Sequence, residues 1–190
     1  EIICKSVIPD KLIQNSKYRL RYYNSIDKFD NYELIYDLSK EFIDKANIID
    51  KSIIKNYPTH AIFLKYTSNK GIPLHKDEGS NDGDQLNPII SFSIGNSCDF
   101  SYKWNKEENE NSIKLDSGDI LIFGGESRFI YHGVKMVYTG TSPLNIHSII
   151  GNNRINMTCR YTPSINGKES KFKFYTYNDS VYRNSPDEKG

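Results

Sequence analysis

Two of the four histidines occur at positions that suit metal binding. His75 begins a His-x-Asp pattern that ends at Asp77, and His132 follows 57 positions after His75. On an extended strand, residues i and i+2 face the same side, so His75 and Asp77 are expected to offer their side chains to one ion. With His132 from another strand, the three ligands cover one face of an octahedron. This donor set suits non-heme Fe(II) and leaves positions open for a cosubstrate and dioxygen.

Other interpretations of these residues stay open on spacing alone. A single histidine is more often a partly buried residue with one hydrogen bond than a ligand, and we assign His60 and His147 that simpler role. A His-x-acid pattern also arises by chance. A zinc site is disfavoured, because zinc prefers closed sites rich in sulfur or histidine and the three cysteines lack the spacing. The metal hypothesis therefore needs support from elsewhere in the chain.

That support comes from residues 154–160, where polar and apolar side chains alternate. The period of two predicts a strand with one face in the core and one polar face. Arginines on the inward face of a barrel are costly unless an anion meets them, and a guanidinium binds a carboxylate through two parallel hydrogen bonds. The pattern thus predicts a site for a dicarboxylate, with a solvated edge strand as the alternative. The polar positions are Arg154, Asn156, Thr158 and Arg160.

The surrounding elements favour a mainly β protein with an N-terminal helix (α+β). Apolar spacing predicts a helix over residues 31–49, capped by Asp30 or Asn31. After Pro58, short segments rich in β-branched and aromatic residues predict strands, typical of a sandwich or jelly roll whose wide end holds a ligand. We divide the chain into an N-terminal segment, 1–57, and a β core, 58–190, within one structural domain overall. The predicted strands are residues 61–66, 89–94, 99–102, 113–115, 119–123, 154–161 and 171–177.

Composition excludes some classes of protein. The formal net charge is +1, with 25 basic and 24 acidic residues, so no global field draws the chain to nucleic acid or an anionic membrane. No apolar run is long enough to span a bilayer, so no membrane partner is expected. We separately expect the protein to be a monomer. Cys4, Cys98 and Cys159 are widely spaced and predict free thiols. An intracellular location follows, without distinguishing nucleus, cytoplasm or mitochondrion.

Several features between residues 61 and 161 occur together: Tyr66 ahead of the His75–Asp77 motif, residues 88–95, the stretch 117–128 leading into His132, and the alternating strand 154–160. In these features the chain resembles the AlkB family of Fe(II)- and 2-oxoglutarate-dependent nucleic-acid dealkylases. The resemblance implies a double-stranded β-helix (jelly roll) that uses Fe(II), 2-oxoglutarate and O2. The Asn-Met-Thr form of the last strand is similar to eukaryotic members.

The resemblance also implies roles for individual residues. Tyr66, Arg154 and Asn156 would bind the distal carboxylate of 2-oxoglutarate, and Arg160 would help fix the end that chelates iron. Two positions depart from the bacterial members, which have asparagine in place of Leu64 and an acidic residue in place of Gly79.

The implied reaction is oxidative demethylation of N-alkylated bases in DNA or RNA, with release of formaldehyde, succinate and CO2. The implied partner is alkylated single-stranded DNA or RNA, because a base in a duplex is hidden by stacking. Residues 17–23 interleave cations with tyrosines ahead of the helix, and Arg21 and Tyr23 are predicted to contact substrate as part of a lid. An edge strand is the alternative for this segment. Two other functions stay open: hydroxylation of a protein or small molecule, and a noncatalytic nucleic-acid-binding barrel.

Overall fold

The computed structural model describes residues 20–25, 32–58, 60–77, 86–161 and 175–176. Two antiparallel sheets dominate these residues, with the strand orders β10-β1-β2-β9-β4-β7 in the major sheet and β3-β8-β5-β6 in the minor sheet. The strands are β1 (Leu20–Ser25), β2 (His60–Tyr66), β3 (Lys70–His75), β4 (Ile89–Gly95), β5 (Cys98–Lys103), β6 (Asn111–Leu115), β7 (Ile120–Phe123), β8 (Tyr131–Val137), β9 (Arg154–Arg160) and β10 (Tyr175–Thr176). The helices are α1 (Tyr32–Ile49), a 3-10 helix (Gly125–Phe129) and α2 (Leu144–Ile150).

Helix α1 packs against the outer face of the major sheet. Its apolar positions recur at helical spacing, and Ile35 and Ile43 are buried within the largest hydrophobic cluster. This cluster also takes in Ile150 of α2 and apolar residues of β2, β4 and β9. The predicted helix is confirmed almost to the residue, while the predicted cap at residues 30–31 lies outside the described part of the chain.

Strand β9 fixes which face of the major sheet is polar. Ile155, Met157 and Cys159 are buried in the cluster beneath the helices, so the alternate residues of β9 point into the space between the two sheets. The predicted alternation is therefore confirmed. A second cluster joins the inner faces of the two sheets and contains Tyr66, Cys98, Phe100, Leu115, Val134 and Val137.

The N-terminal segment contributes a strand as well as a helix. Strand β1 pairs with β2 and β10, and its register sets Arg21 opposite Leu64 and Tyr23 opposite Ile62. From Leu20 onward the backbone of the predicted lid segment thus runs as a strand of the major sheet, and a contact of Arg21 or Tyr23 with substrate stays a prediction. So does the division of the chain at residue 57.

Most of one predicted strand lies outside the described residues, and several observed elements were not predicted. Of the predicted strand 171–177, the structure describes only Tyr175–Thr176. Strands β3 and β8, the 3-10 helix and helix α2 were not among the predicted elements. No helix in the described ranges is long and apolar enough to cross a membrane.

Candidate metal and cosubstrate site

The three predicted metal ligands come together at one end of the space between the sheets. His75 is the last residue of β3 and pairs in register with His132 of β8. Asp77 Oδ1 lies 3.9 Å from His75 Nε2, and Asp77 Oδ2 lies 3.6 Å from His132 Nε2. One ligand atom from each residue falls within 4.8 Å of the other two. The group could therefore hold a single ion.

The strand geometry expected for His75 and Asp77 is wrong, although the two side chains do meet. Strand β3 shifts register between Ile72 and His75 and ends at His75, so Asp77 lies beyond the strand. The carboxylate of Asp77 is held instead by the guanidinium of Arg160, with Nη2 2.6 Å from Oδ2. The main-chain carbonyl of Asp77 accepts a hydrogen bond from Arg128 Nη1 at 3.0 Å. Contacts from Arg160 and Arg128, rather than a strand shared with His75, therefore hold Asp77 in position.

Both histidines are oriented so that Nε2 faces Asp77. His75 Nδ1 lies 3.0 Å from the carbonyl oxygen of Pro73, and His132 Nδ1 lies 3.2 Å from that of Ile130. A carbonyl can only accept a hydrogen bond, so Nδ1 carries the proton in each ring and donates it. In the neutral form of each ring, Nε2 then presents its lone pair, which is the arrangement that metal-binding imidazoles adopt.

The electrostatics of the site favour the protonation states that bind metal. Burial lowers the pKa of His132, and the attraction of Asp77 only partly opposes this effect. Burial acts to raise the pKa of Asp77, but the charge of Arg160, the imidazoles and the hydrogen bond from Arg160 together lower it. Near neutral pH the site thus contains an ionised carboxylate and a neutral imidazole of His132, as metal binding requires.

A second polar site lies around Arg154, at the other end of β9 from the metal ligands. The side chain is fully buried, with Nη2 donating to Ser93 Oγ at 3.0 Å and Nη1 to the Asn96 carbonyl at 3.2 Å. Its Nε has no hydrogen-bond partner, and no carboxylate of the described residues forms an ion pair with it. A buried cation with neutral partners and a spare donor suits an anionic ligand.

Neutral hydrogen-bonding groups connect the two ends of β9. Asn156 Nδ2 donates to Ser91 Oγ at 2.6 Å, and Thr158 Oγ1 donates to Asn156 Oδ1 at 2.6 Å. This face of the strand therefore offers a cation at each end, Arg154 and Arg160, with short polar side chains between them. The arrangement suits a dicarboxylate with one end beside the metal ligands.

Two further predicted positions lie on the neighbouring strand β2. Tyr66 is buried and pairs in register with Arg154, so it lies where a contact to the same carboxylate is expected. Leu64 pairs with Asn156 and offers no polar group. The Asn156 amide finds its partner on the opposite side instead, in Ser91 of β4.

Sequence reasoning assigned no role to three residues of this region. Ser91 and Ser93 alternate with apolar residues along β4, and the same period-two argument that was applied to β9 would have found them. Arg128 lies in the stretch 117–128 that carries the resemblance, but no role was assigned to it, because its partners are the main-chain carbonyls of Asp77 and Asn87, far away in sequence.

Comparison with known proteins places this geometry in a family. Residues 11–160 match the 2OG-Fe(II) oxygenase superfamily. The chain belongs to this superfamily. Membership implies Fe(II), 2-oxoglutarate and O2, and the described residues fit them. The His-Asp-His group has donors that Fe(II) accepts with positions to spare, and the buried Arg154 has an open donor for a carboxylate.

Relatives of this 2OG-Fe(II) oxygenase confirm the resemblance to AlkB proteins. The chain is 38% identical over 102 residues to the DNA N(6)-methyladenine demethylase ALKBH1D of Arabidopsis thaliana, covering 52% of this chain and 23% of the relative. It is 31% identical over 104 residues to the alpha-ketoglutarate-dependent dioxygenase AlkB of Escherichia coli, covering 54% and 45%. The chain thus spans less than half the length of either relative. The higher identity to the plant protein agrees with the expected eukaryotic character.

Solved structures confirm the jelly-roll fold of this oxygenase. OsALKBH1 superposes with a TM-score of 0.62 at 27% identity, covering 68% of this chain and 64% of that one. A prolyl-4-hydroxylase of Pseudomonas putida superposes with a TM-score of 0.50 at 12% identity, covering 79% and 77%, which shows the fold alone.

Proposed function

We propose that this chain carries the catalytic core of an Fe(II)- and 2-oxoglutarate-dependent dioxygenase that demethylates N-alkylated bases in DNA or RNA. The observation that carries the proposal is the meeting of His75, Asp77 and His132 beside one polar strand face that also bears the buried Arg154. The named activities of the relatives support a nucleic-acid substrate, since one is a DNA N(6)-methyladenine demethylase.

Each residue then has a defined task. His75, Asp77 and His132 would hold Fe(II), which with bound 2-oxoglutarate and O2 supplies the oxidation of a C–H bond. Arg154, Asn156 and Tyr66 would bind the distal carboxylate of the cosubstrate. Arg160 would keep Asp77 ionised and in place, and it would lie next to the chelating end of the cosubstrate.

The reaction balances without an acidic or basic side chain. One O2 converts 2-oxoglutarate to succinate and CO2 and adds one oxygen atom to an N-methyl group. The hydroxymethyl group formed then leaves as formaldehyde: its C–N bond breaks, and its hydroxyl proton passes to the nitrogen. A base must leave its stack to present that methyl group, so we expect single strands to be preferred over duplexes.

The test is a panel of single-stranded DNA and RNA oligonucleotides methylated at different base nitrogens, incubated with Fe(II), 2-oxoglutarate and oxygen. Mass spectrometry should show loss of methyl groups together with succinate, and His75→Ala should abolish both. Unmethylated strands of the same sequence serve as the control. Succinate formation that no oligonucleotide stimulates would point instead to an oxygenase for proteins or small molecules. Absence of succinate in every reaction would favour a noncatalytic barrel.

A further inference from the structure

Arg128 is buried beside the metal ligands and donates hydrogen bonds to the main chain there. Only 1% of the residue is exposed, and its guanidinium binds two main-chain carbonyls. Nη1 donates to the Asp77 carbonyl at 3.0 Å and Nε donates to the Asn87 carbonyl at 2.9 Å. Because Asp77 lies past the end of β3, no strand pairing fixes its main chain.

We propose that Arg128 is a positioning residue of the metal site, which holds the main chain of Asp77 so that its carboxylate stays between His75 and His132. The proposal rests on the proposed function only in assigning a metal to these three side chains. Arginine suits the task because its donors form a rigid planar fork, which can meet two acceptors from separate segments at once. A lysine ammonium is a single point of contact on a flexible stem and cannot reproduce this arrangement.

The short helix that carries Arg128 is itself held closely. Gly125 has a φ of +53°, in the left-handed region, and a Cβ there would overlap the hydroxyl group of Ser52, in the segment that follows α1. Within the helix, Ser127 Oγ donates to the Gly124 carbonyl at 2.8 Å and accepts from its N–H at 3.1 Å. The base of the Arg128 side chain is thus fixed against the chain that leads from α1 to β2.

The second partner of Arg128 is held by that same segment. Asn56 Nδ2 donates to the Asn87 side-chain oxygen at 2.6 Å, while the Asn87 main chain accepts from Arg128. The residue that follows the short helix, Ile130, offers the carbonyl that orients the His132 ring. The 3-10 helix between β7 and β8 and the residue after it therefore contact two of the three metal ligands. Arg128 donates to the main chain of Asp77, and the carbonyl of Ile130 accepts from the ring of His132.

The experiment measures Mn(II) affinity of the metal-free protein, by electron paramagnetic resonance of the unbound ion, for wild type, Arg128→Met and Arg128→Lys. Groups that orient metal ligands typically contribute 10- to 100-fold to metal affinity, so we expect a loss of that size in Arg128→Met and little recovery in Arg128→Lys. Circular dichroism and the thermal midpoint identify the temperature at which each variant is fully folded. All titrations are made below it.

Arg154→Met is the matched control, since it removes the other fully buried arginine of the described chain but lies at the cosubstrate end. Its Mn(II) affinity should stay within about twofold of wild type. If the Arg128 variants do not fold, Asn56→Ala tests the proposal instead. This substitution removes the hydrogen bond from Asn56 to Asn87, which in turn contacts Arg128, and it should weaken Mn(II) binding about twofold to tenfold. A folded Arg128→Met or Asn56→Ala protein with wild-type Mn(II) affinity would overturn the proposal. Failure of the wild type to bind Mn(II) would instead overturn the metal site itself.

Discussion

Replacing Arg154 by methionine should separate binding of the cosubstrate from binding of the metal. The guanidinium is fully buried, and its Nε is unpartnered while its other nitrogens contact neutral oxygens. A carboxylate that binds there gains about two charge-assisted hydrogen bonds, each worth roughly 1.5 to 3 kcal/mol. Their loss corresponds to a rise of about two to four orders of magnitude in the Kd of 2-oxoglutarate.

The assay is isothermal titration with 2-oxoglutarate of protein loaded with Mn(II) under anaerobic conditions, where no turnover occurs. A parallel titration uses 2-oxobutanoate, which keeps the chelating end but lacks the distal carboxylate. The four titrations form a thermodynamic cycle, analogous to a double-mutant cycle, in which the ligand and residue 154 are each changed. Wild type should bind this acid about as weakly as Arg154→Met binds 2-oxoglutarate. The variant should lose little further affinity for it.

Thermal unfolding gives an independent measurement. Excess 2-oxoglutarate at about 100 times its Kd should stabilise the wild-type protein by roughly 2.7 kcal/mol, whereas the variant should show almost no shift at the same concentration. Unchanged 2-oxoglutarate affinity in Arg154→Met would refute the assignment of this pocket. An equal loss of affinity for both acids would also refute it, because the damage would then be general rather than specific to the distal carboxylate.

Three further outcomes follow from the structure and the sequence. Asp77→Ala should abolish both Mn(II) binding and succinate formation, and retained turnover would contradict the metal site. Arg21→Ala and Tyr23→Ala should raise the apparent KM for a methylated oligonucleotide, by about fivefold to a hundredfold for Tyr23, without changing 2-oxoglutarate decarboxylation in the absence of substrate; equal loss of both activities would mean a structural role. Cys98 and Cys159 should resist iodoacetamide at pH 8 until the protein unfolds. Burial raises the pKa of both thiols, that of Cys159 to about 12, so the reactive thiolate is scarce. Peptide mass spectrometry that finds either residue alkylated in the native protein would contradict the described core.

The parts of the fold that the sequence predicts are those in which side-chain periodicity reflects burial. Helix α1 and strand β9 each have one apolar and one polar face, and both were placed within a residue or two. Strand β3 was missed because Gly71 and Pro73 have low strand propensity. The glycine is nevertheless required there, since a Cβ at Gly71 would overlap the Val134 carbonyl of the paired strand.

The sequence predicted which residues form the candidate site, but not how the backbone brings them together. Histidine and aspartate at the right spacing indicated a metal, and alternating arginines indicated an anion. The assumption that His75 and Asp77 share a strand failed because the chain leaves β3 at His75, and main-chain contacts made by Arg128 replace the missing strand pairing. Every residue has a main-chain carbonyl group, so the pattern of side chains along the sequence cannot reveal which carbonyl an arginine contacts.

The three metal ligands differ greatly in their access to water, with 41% of the His75 side chain exposed against 9% for His132 and 13% for Asp77. His75 also ends a strand that lies at the edge of the minor sheet as described, whereas β8, which carries His132, is paired on both sides. Edge strands open locally at a lower free-energy cost than central ones. Of the three residues that would hold iron, His75 should therefore be the first to open, and the rate at which a bound ion exchanged would follow the fraying of β3 rather than unfolding of the whole protein. A chelator would then draw iron from a protein that is otherwise fully native.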